Sequence, residues 1–322
     1  MNFAELSKLT EDEARDYLEA TRWGANGERR ACPHCMSNES IKLAGKSTRP
    51  GVYKCKNPKC RKQFTVTVGT VMERGHIKIR IWLLALHLMS ASKKGVSAHQ
   101  LHRMLGVTYK TAWFMAHRIR YAMKQEPLAG ALKGELEADE TYVGGKPRYR
   151  GVSKAGRGTS KKAVALLVER GGRAHATPVD DLKGSTLREV LFKYADRNST
   201  LFTDEVPLYN HVGREFAGGH HRSLHKQREY VRRTNGGETL VTTNTAESFF
   251  ALLKRGHYGT FHQIGKRHLH RYVDEFSFRW NNRKMKDSQR MDVAINGIAG
   301  RRLMYRQPIL RDGIDQLWGG IQ

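Results

Sequence analysis

Four side chains pose the chemical question. Asp139 lies in the run GELEADETYVGG, Asp204 in STLFTDEV, and Glu247 with Lys254 in NTAESFFALLKRGHYGT. Each aspartate closes a strand-like stretch, and Lys254 follows Glu247 by two helical turns, on the same helix face. Carboxylates delivered from separate elements suit a pair of hard divalent cations, and such cations promote displacement at a phosphodiester. Other uses stay open. Lone aspartates at strand ends also form turns. Asn244-x-x-Glu247 is also the spacing of a capping box, with Asn244 capping a helix and Glu247 reaching back to its backbone.

The elements that must position these groups follow a change of composition after Pro127. Alternating apolar residues predict strands over 135–143, 163–169, 173–179 and 201–204. A helix is expected over 185–195, a short one after Asp204, and long helices from Asn244 and from Gly265. Antiparallel strands followed by strand–helix alternation imply a mixed α/β sheet with helices on its faces. A basic, glycine-rich loop over 144–163 cannot pack a core. Glu275, Arg279 and Arg283 share helical spacing, with Phe276, Phe278 and Trp280 as apolar surface. His220, His221 and His225, beside Arg222, Lys226 and Arg228, suggest a basic strand facing DNA.

All four cysteines fall within the first 60 residues, as Cys32-Pro-His-Cys35 and Cys55-Lys-Asn-Pro-Lys-Cys60. Paired thiols at this spacing in a reducing compartment supply the tetrahedral set of a structural Zn²⁺. Tyr53, Phe64, Val66 and Val68 alternate as the strands of a zinc ribbon would. Lys54, Lys56, Lys59, Arg61 and Lys62 crowd the second knuckle.

Between ribbon and sheet the pattern turns helical. Ser97 and Thr108 are placed to cap two helices separated by a turn at Gly106, resembling a helix-turn-helix. Its second helix carries Lys110, Arg118 and Arg120, which are candidates for DNA contact, and Trp113, Met115 and Ile119, which are candidates for the core.

Charge sets the partner. Lys and Arg number 57 against 31 Asp and Glu, a net charge of +26 spread along the whole chain, which calls for a polyanion, here double-stranded DNA. The strongest apolar run, over 77–89, is short and carries Lys78, Arg80 and His87, so no membrane span is expected. The N-terminal residues lack the pattern of a signal peptide, which implies a cytoplasmic protein.

The zinc ribbon, the helical segment, and the phrases ADETYVGGK, TDE, NTAESFFALLKRGHYGTFH and LHRYVDEFSFRWNNR occur in one order from Cys32 to about Arg283. Together they resemble a bacterial insertion-sequence transposase of the DDE type with an N-terminal zinc ribbon. The resemblance implies a multidomain α/β protein with a ribonuclease H-like mixed-sheet catalytic domain and C-terminal helices. The segments would be 1–28 (helical), 29–72 (zinc ribbon), 73–127 (helix-turn-helix-like), 128–285 (catalytic) and 286–322 (tail). It also implies Mg²⁺ or Mn²⁺ held by Asp139, Asp204 and a third group. Glu247 is preferred there over Asn244, because a carboxylate suits a hard cation better than an amide. Lys254 would hold a phosphate, and Arg279 and Arg283 would lie near DNA. Element ends and target would be the DNA partners, the protein acting near the bacterial nucleoid as a homodimer or larger synaptic multimer. A regulator that has lost catalysis, or a host nuclease or resolvase on the same fold, are the alternatives.

Overall fold

The computed structural model describes residues 1–125, 130–144, 161–224, 231–234 and 239–304. Pro127, most of the basic loop over 144–163, the residues His225, Lys226 and Arg228, and the stretch 305–322 lie outside the described residues. The chain divides into two units, 125–283 and the remainder.

The first unit opens with two capped helices, α1 (Phe3–Lys8) and α2 (Glu11–Trp23). In both, a capping box closes the first turn, from Asn2 with Glu5 and from Thr10 with Glu13. Three short antiparallel strands follow, β1 (Ser40–Lys42), β2 (Tyr53–Cys55) and β3 (Gln63–Phe64). Trp23 of α2 meets the rings of Tyr53 and Phe64 edge-on, and the Tyr53 hydroxyl donates to Glu19 at 2.6 Å in the interior. The expected strand does not continue through Val66 and Val68. The chain turns after Phe64, where the Thr70 hydroxyl donates back to the Thr67 carbonyl, and Val66 is buried from within that turn.

Helix α3 (Ile79–Ala91) buries Trp82, Leu83, Leu86 and Met89. Helices α4 (Ala98–Leu105) and α5 (Tyr109–Ala122) form the helix-turn-helix as the sequence predicts. Ser97 accepts from the Gln100 amide and Thr108 from that of Thr111, while Gly106 takes the left-handed conformation at φ 64° that ends α4.

The second unit carries a five-stranded sheet in the order β6-β5-β4-β7-β8. Its strands are β4 (Glu135–Val143), β5 (Lys162–Glu169), β6 (Ala174–Val179), β7 (Thr200–Thr203) and β8 (His220–Arg222). The first three pair antiparallel, and β7 and β8 join parallel. This is the mixed α/β sheet that the resemblance implies. Strand β5 is apolar along nearly its whole length because both faces are covered. One face packs under α6 (Gly184–Tyr194), through Leu136, Ala138, Leu167, Leu187 and Leu191. The short α7 (Asn210–Gly213) lies between β7 and β8. A separate hairpin of β9 (Arg232–Thr234) and β10 (Thr239–Val241) leads into α8 (Asn244–Gly256). The other face of the sheet packs under α8 and α9 (Leu269–Asn281), through Val164, Leu166, Phe249, Phe250, Val273 and Phe276. The helix foreseen from Gly265 starts only at Leu269, after a single turn of 3₁₀ helix.

The residues after Arg283, set apart above as a tail, contain α10 (Asp287–Asn296), which belongs to the first unit. Its Asp292 accepts from the Tyr17 hydroxyl at 2.6 Å, and Met291, Ala294 and Ile295 are buried. Among the described residues no helix is long and apolar enough to cross a membrane.

Candidate active site

Strand pairing brings the two aspartates together. Strands β4 and β7 run parallel in the register Glu135↔Thr200, Leu136↔Leu201, Glu137↔Phe202. Continued two residues along, that register sets Asp139 opposite Asp204, and adjacent strands lie about 4.8 Å apart. With a side-chain period of two, Asp139 shares the face of Glu137 and Val143, the one under α8 and α9.

Each aspartate is held locally. Asp139 Oδ1 accepts from the Glu140 amide at 2.7 Å, and Asp204 Oδ1 accepts from the Val206 amide at 3.1 Å in a turn that lifts the chain off β7. The buried Thr203 donates to the Asp204 carbonyl and lies 2.8 Å from His220 Nε2. Glu247 and Asn244 are exposed on the first turn of α8, and Lys254 is exposed two turns further on.

The Asp139 carboxyl records this gathering of negative charge. Burial pushes it up to about 8, with Glu140 and then Asp204 and Glu247 adding repulsion, against the opposing pull of the Glu140 amide. Carboxylates are the donor type that a hard divalent cation takes, but among the described residues those of Asp139, Asp204 and Glu247 are not drawn into one ligand group as the cysteine sulfurs are. Because the folded carboxyl titrates at about 8 and the ordinary one at 3.8, the folded state holds the proton more tightly. The stability it contributes is full below the lower value and is lost as pH rises through the upper one. Metal-free protein should therefore melt at lower temperature at about pH 8.5 than at about pH 6, and Asp139→Asn should flatten that difference. Equal pH dependence of melting in both proteins would refute the charge cluster.

The capping alternative for Asn244 and Glu247 is not what the helix adopts. Thr243 occupies the cap position and makes no side-chain cap bond. The first turn is instead satisfied from the sheet, where the fully buried Glu137 accepts from the Ala246 amide and the Thr245 hydroxyl, both at 3.0 Å. Glu137 escaped notice in the sequence, although it shares the face of Asp139 two residues away. Also missed were Glu140 and Tyr209, whose hydroxyl donates to Glu140 at 2.6 Å on the opposite face. Nothing in the spacing links those two.

Of the basic residues proposed for DNA, Lys110 is exposed on α5. Arg118 is half-buried, donating to the carbonyls of Leu303 and Glu73 and lying over the Phe114 ring. Arg120, 2% exposed, and Arg279, 6% exposed and paired with the buried Glu275, are sealed in the interior, so neither presents its charge to a phosphate. Both lie on the buried side of their helices, whereas the sequence reading gives them the exposed side. Arg283 is exposed, stacked on Trp280, and donates to the Gly172 carbonyl at 2.9 Å. His220 and His221 are half-buried on the edge strand β8, beside the exposed Arg222. Burial holds His220 down to about 4 and therefore neutral, and His221 stacks on Phe202.

In the first unit the four cysteine sulfurs lie within 4.8 Å of one another, the only such group of metal-binding side chains among the described residues. Cys32 and Cys60 Sγ are 3.9 Å apart, and Cys35 and Cys55 Sγ 3.6 Å. A disulfide would need about 2.0 Å, whereas Zn–S bonds of about 2.3 Å give tetrahedral edges of about 3.8 Å. The residues fit zinc. Met36 and Arg61, each directly after the second cysteine of its knuckle, both take positive φ and close matching turns.

Two family models match the regions that hold these residues. Residues 131–281 match the ISXO2-like transposase domain, and residues 9–63 match the transposase zinc-ribbon domain. The uncharacterized protein in transposable element ISH50 of Halobacterium salinarum is 30% identical over 260 residues, covering 77% of this chain and 83% of that protein. Among solved structures, a chain of the pre-cleavage Mos1 transpososome aligns over 91% of this chain and 94% of its own, at 12% identity and a TM-score of 0.27. A chain of the Mos1 transposase paired-end complex with left transposon end aligns over 63% and 75%, at 11% identity and 0.19. The chain belongs to the ISXO2-like insertion-sequence transposases with an N-terminal zinc ribbon, a family of DNA-processing enzymes.

Proposed function

We propose that this protein is a DDE-type transposase that cleaves DNA at the ends of its own insertion sequence and joins the freed 3′-hydroxyl to a target strand. The observation that carries this reading is that Asp139 on β4 and Asp204, one residue past the end of the parallel β7, fall level with one another, with both Asp204 and Glu247 adding repulsion at the Asp139 carboxyl. Asp139, Asp204 and Glu247 are the ligands proposed for Mg²⁺ or Mn²⁺, and Asn244 is a second candidate for the third position. When bound, the cations supply Lewis acidity at the phosphate.

In the cleavage step a water oxygen attacks phosphorus and the bond to the 3′ oxygen breaks, leaving a 3′-hydroxyl. In the joining step that hydroxyl attacks a target phosphodiester and displaces the target's own 3′ oxygen. Neither step needs a covalent bond to protein. Lys254, on the exposed side of α8, would hold a phosphate beside the scissile bond. The zinc ribbon and the α4–α5 pair would hold the element end, with Lys110 and Arg118 toward the DNA. Two ends must be handled together, which favours a dimer or larger synaptic assembly in the bacterial cytoplasm, at the nucleoid.

The test is a supercoiled plasmid carrying the DNA that flanks this gene, incubated with zinc-loaded protein and Mg²⁺. Nicks at the element boundaries and joined products are expected. Binding of the ends with no cutting in Mg²⁺ or Mn²⁺ would overturn the proposal in favour of a regulator, and equal cutting of unrelated branched DNA in favour of a host nuclease.

A further inference from the structure

The least expected group in the second unit is a carboxylate with no solvent exposure. Glu137 lies on β4, two residues before Asp139 and on the same face, where every added negative charge raises repulsion. Its two oxygens accept three hydrogen bonds, from the turn after β5 and from the first turn of α8. Arg170, from the turn after β5, donates through Nε to Oε1 at 2.8 Å, the Thr245 hydroxyl donates to the same oxygen, and the Ala246 amide donates to Oε2.

Arg170 extends the network. It donates to Glu135 at 3.2 Å, to the Leu240 carbonyl at 2.7 Å and to the Thr242 carbonyl at 2.8 Å, and its guanidinium lies 3.8 Å from the centre of the Phe202 ring. The pair thus ties β4, β7, the end of β10 and the first turn of α8 to one another.

Stability alone is a poor reason for such a pair, since apolar residues of similar volume commonly serve as well or better. Geometry is the better reason. Ala246 directly precedes Glu247, and the N-terminal dipole of α8 draws the carboxylate to it. We infer that Glu137, locked by Arg170, is a positioning residue that fixes the first turn of α8 against β4, and so sets the distance at which Glu247 meets Asp139 and Asp204. The inference rests on the proposal that these three carboxylates share a divalent cation.

The test uses Mn²⁺ alone, titrated into the full-length, zinc-loaded protein and followed by the paramagnetic resonance signal of free Mn²⁺, beside thermal melts. Glu137→Gln is expected to fold and to weaken Mn²⁺ binding by about 10- to 100-fold, the range typical of groups that orient metal ligands. It should also speed amide exchange at residues 244–247, with affinity for end DNA unchanged. Because that variant leaves Arg170 with a weaker partner, the double variant Glu137→Met, Arg170→Leu removes both buried charges together. It too should fold while binding Mn²⁺ poorly.

The outcomes separate the two proposals. If Asp139→Asn binds Mn²⁺ as tightly as the wild type, the metal site itself is wrong and the inference falls with it. If Asp139→Asn loses Mn²⁺ while folded Glu137→Gln or the folded double variant binds it normally, the metal site stands and the positioning role is overturned.

Discussion

Asp139→Asn should bind element-end DNA like the wild type and cut it at least about a thousandfold more slowly, a rise of about 4 kcal/mol in the barrier. The substitution keeps shape and keeps the bond from the Glu140 amide, because an amide oxygen accepts as a carboxylate oxygen does. What it removes is the negative charge that a divalent cation requires. The same change relieves repulsion among Asp139, Glu140, Asp204 and Glu247 in the metal-free protein, so the variant should also melt at higher temperature near neutral pH. Gain of stability with loss of cutting is a pairing that a merely structural aspartate would not give. A purified variant that still nicks supercoiled DNA in Mg²⁺ would remove Asp139 from the site.

Zinc removal has the other large expected effect. The ribbon's strands are three, three and two residues long, too short to stand on their own pairing. Its apolar content is chiefly the Trp23, Tyr53 and Phe64 cluster. Zinc bound by four thiolates contributes on the order of 10–16 kcal/mol to the folding of such a site. Replacing Cys32 and Cys35 by Ser, or stripping the metal with a strong chelator, should therefore unfold 29–72 and abolish end binding. Loss of the Trp23 fluorescence signature and of bound zinc by atomic absorption report it directly. A double variant that retains one zinc per chain would show that the ligand set is wrong.

The features legible in the sequence are those that depend on local rules. Knuckle spacing marked the cysteines, side-chain period marked β4 to β7, and hydroxyl residues at the right offset marked the starts of α4 and α5. Asp139 and Asp204 stood out as acidic residues after strand-forming runs and through the family resemblance, yet Asp139 lies in the middle of β4 and Asp204 one residue past the end of β7. Features that depend on the far side of a contact stayed hidden. Nothing within GELEADETYV separates Glu137, closed in on all sides, from the exposed Glu135 two residues earlier. The burial of Arg120 and Arg279 likewise depends on neighbours that the local pattern does not name. Helix α10 was overlooked because its apolar positions are few and its partner, α3, lies about two hundred residues upstream.

The return of α10 has a practical consequence for anyone dissecting the protein. Residues 125–283 are an insert, entered and left once. Their two ends are pinned side by side by the 2.8 Å bond between Gln125 and Asn281. A fragment cut off at residue 124 would lose the helix that carries Met291, Ala294 and Ile295, and the apolar surface around Trp82 and Leu86 would be laid bare to aggregate. A workable fragment of the first unit calls for excision, with 1–124 spliced to 284–304 through a brief linker. By the same logic, the excised middle is a cassette that could be transplanted into another host loop.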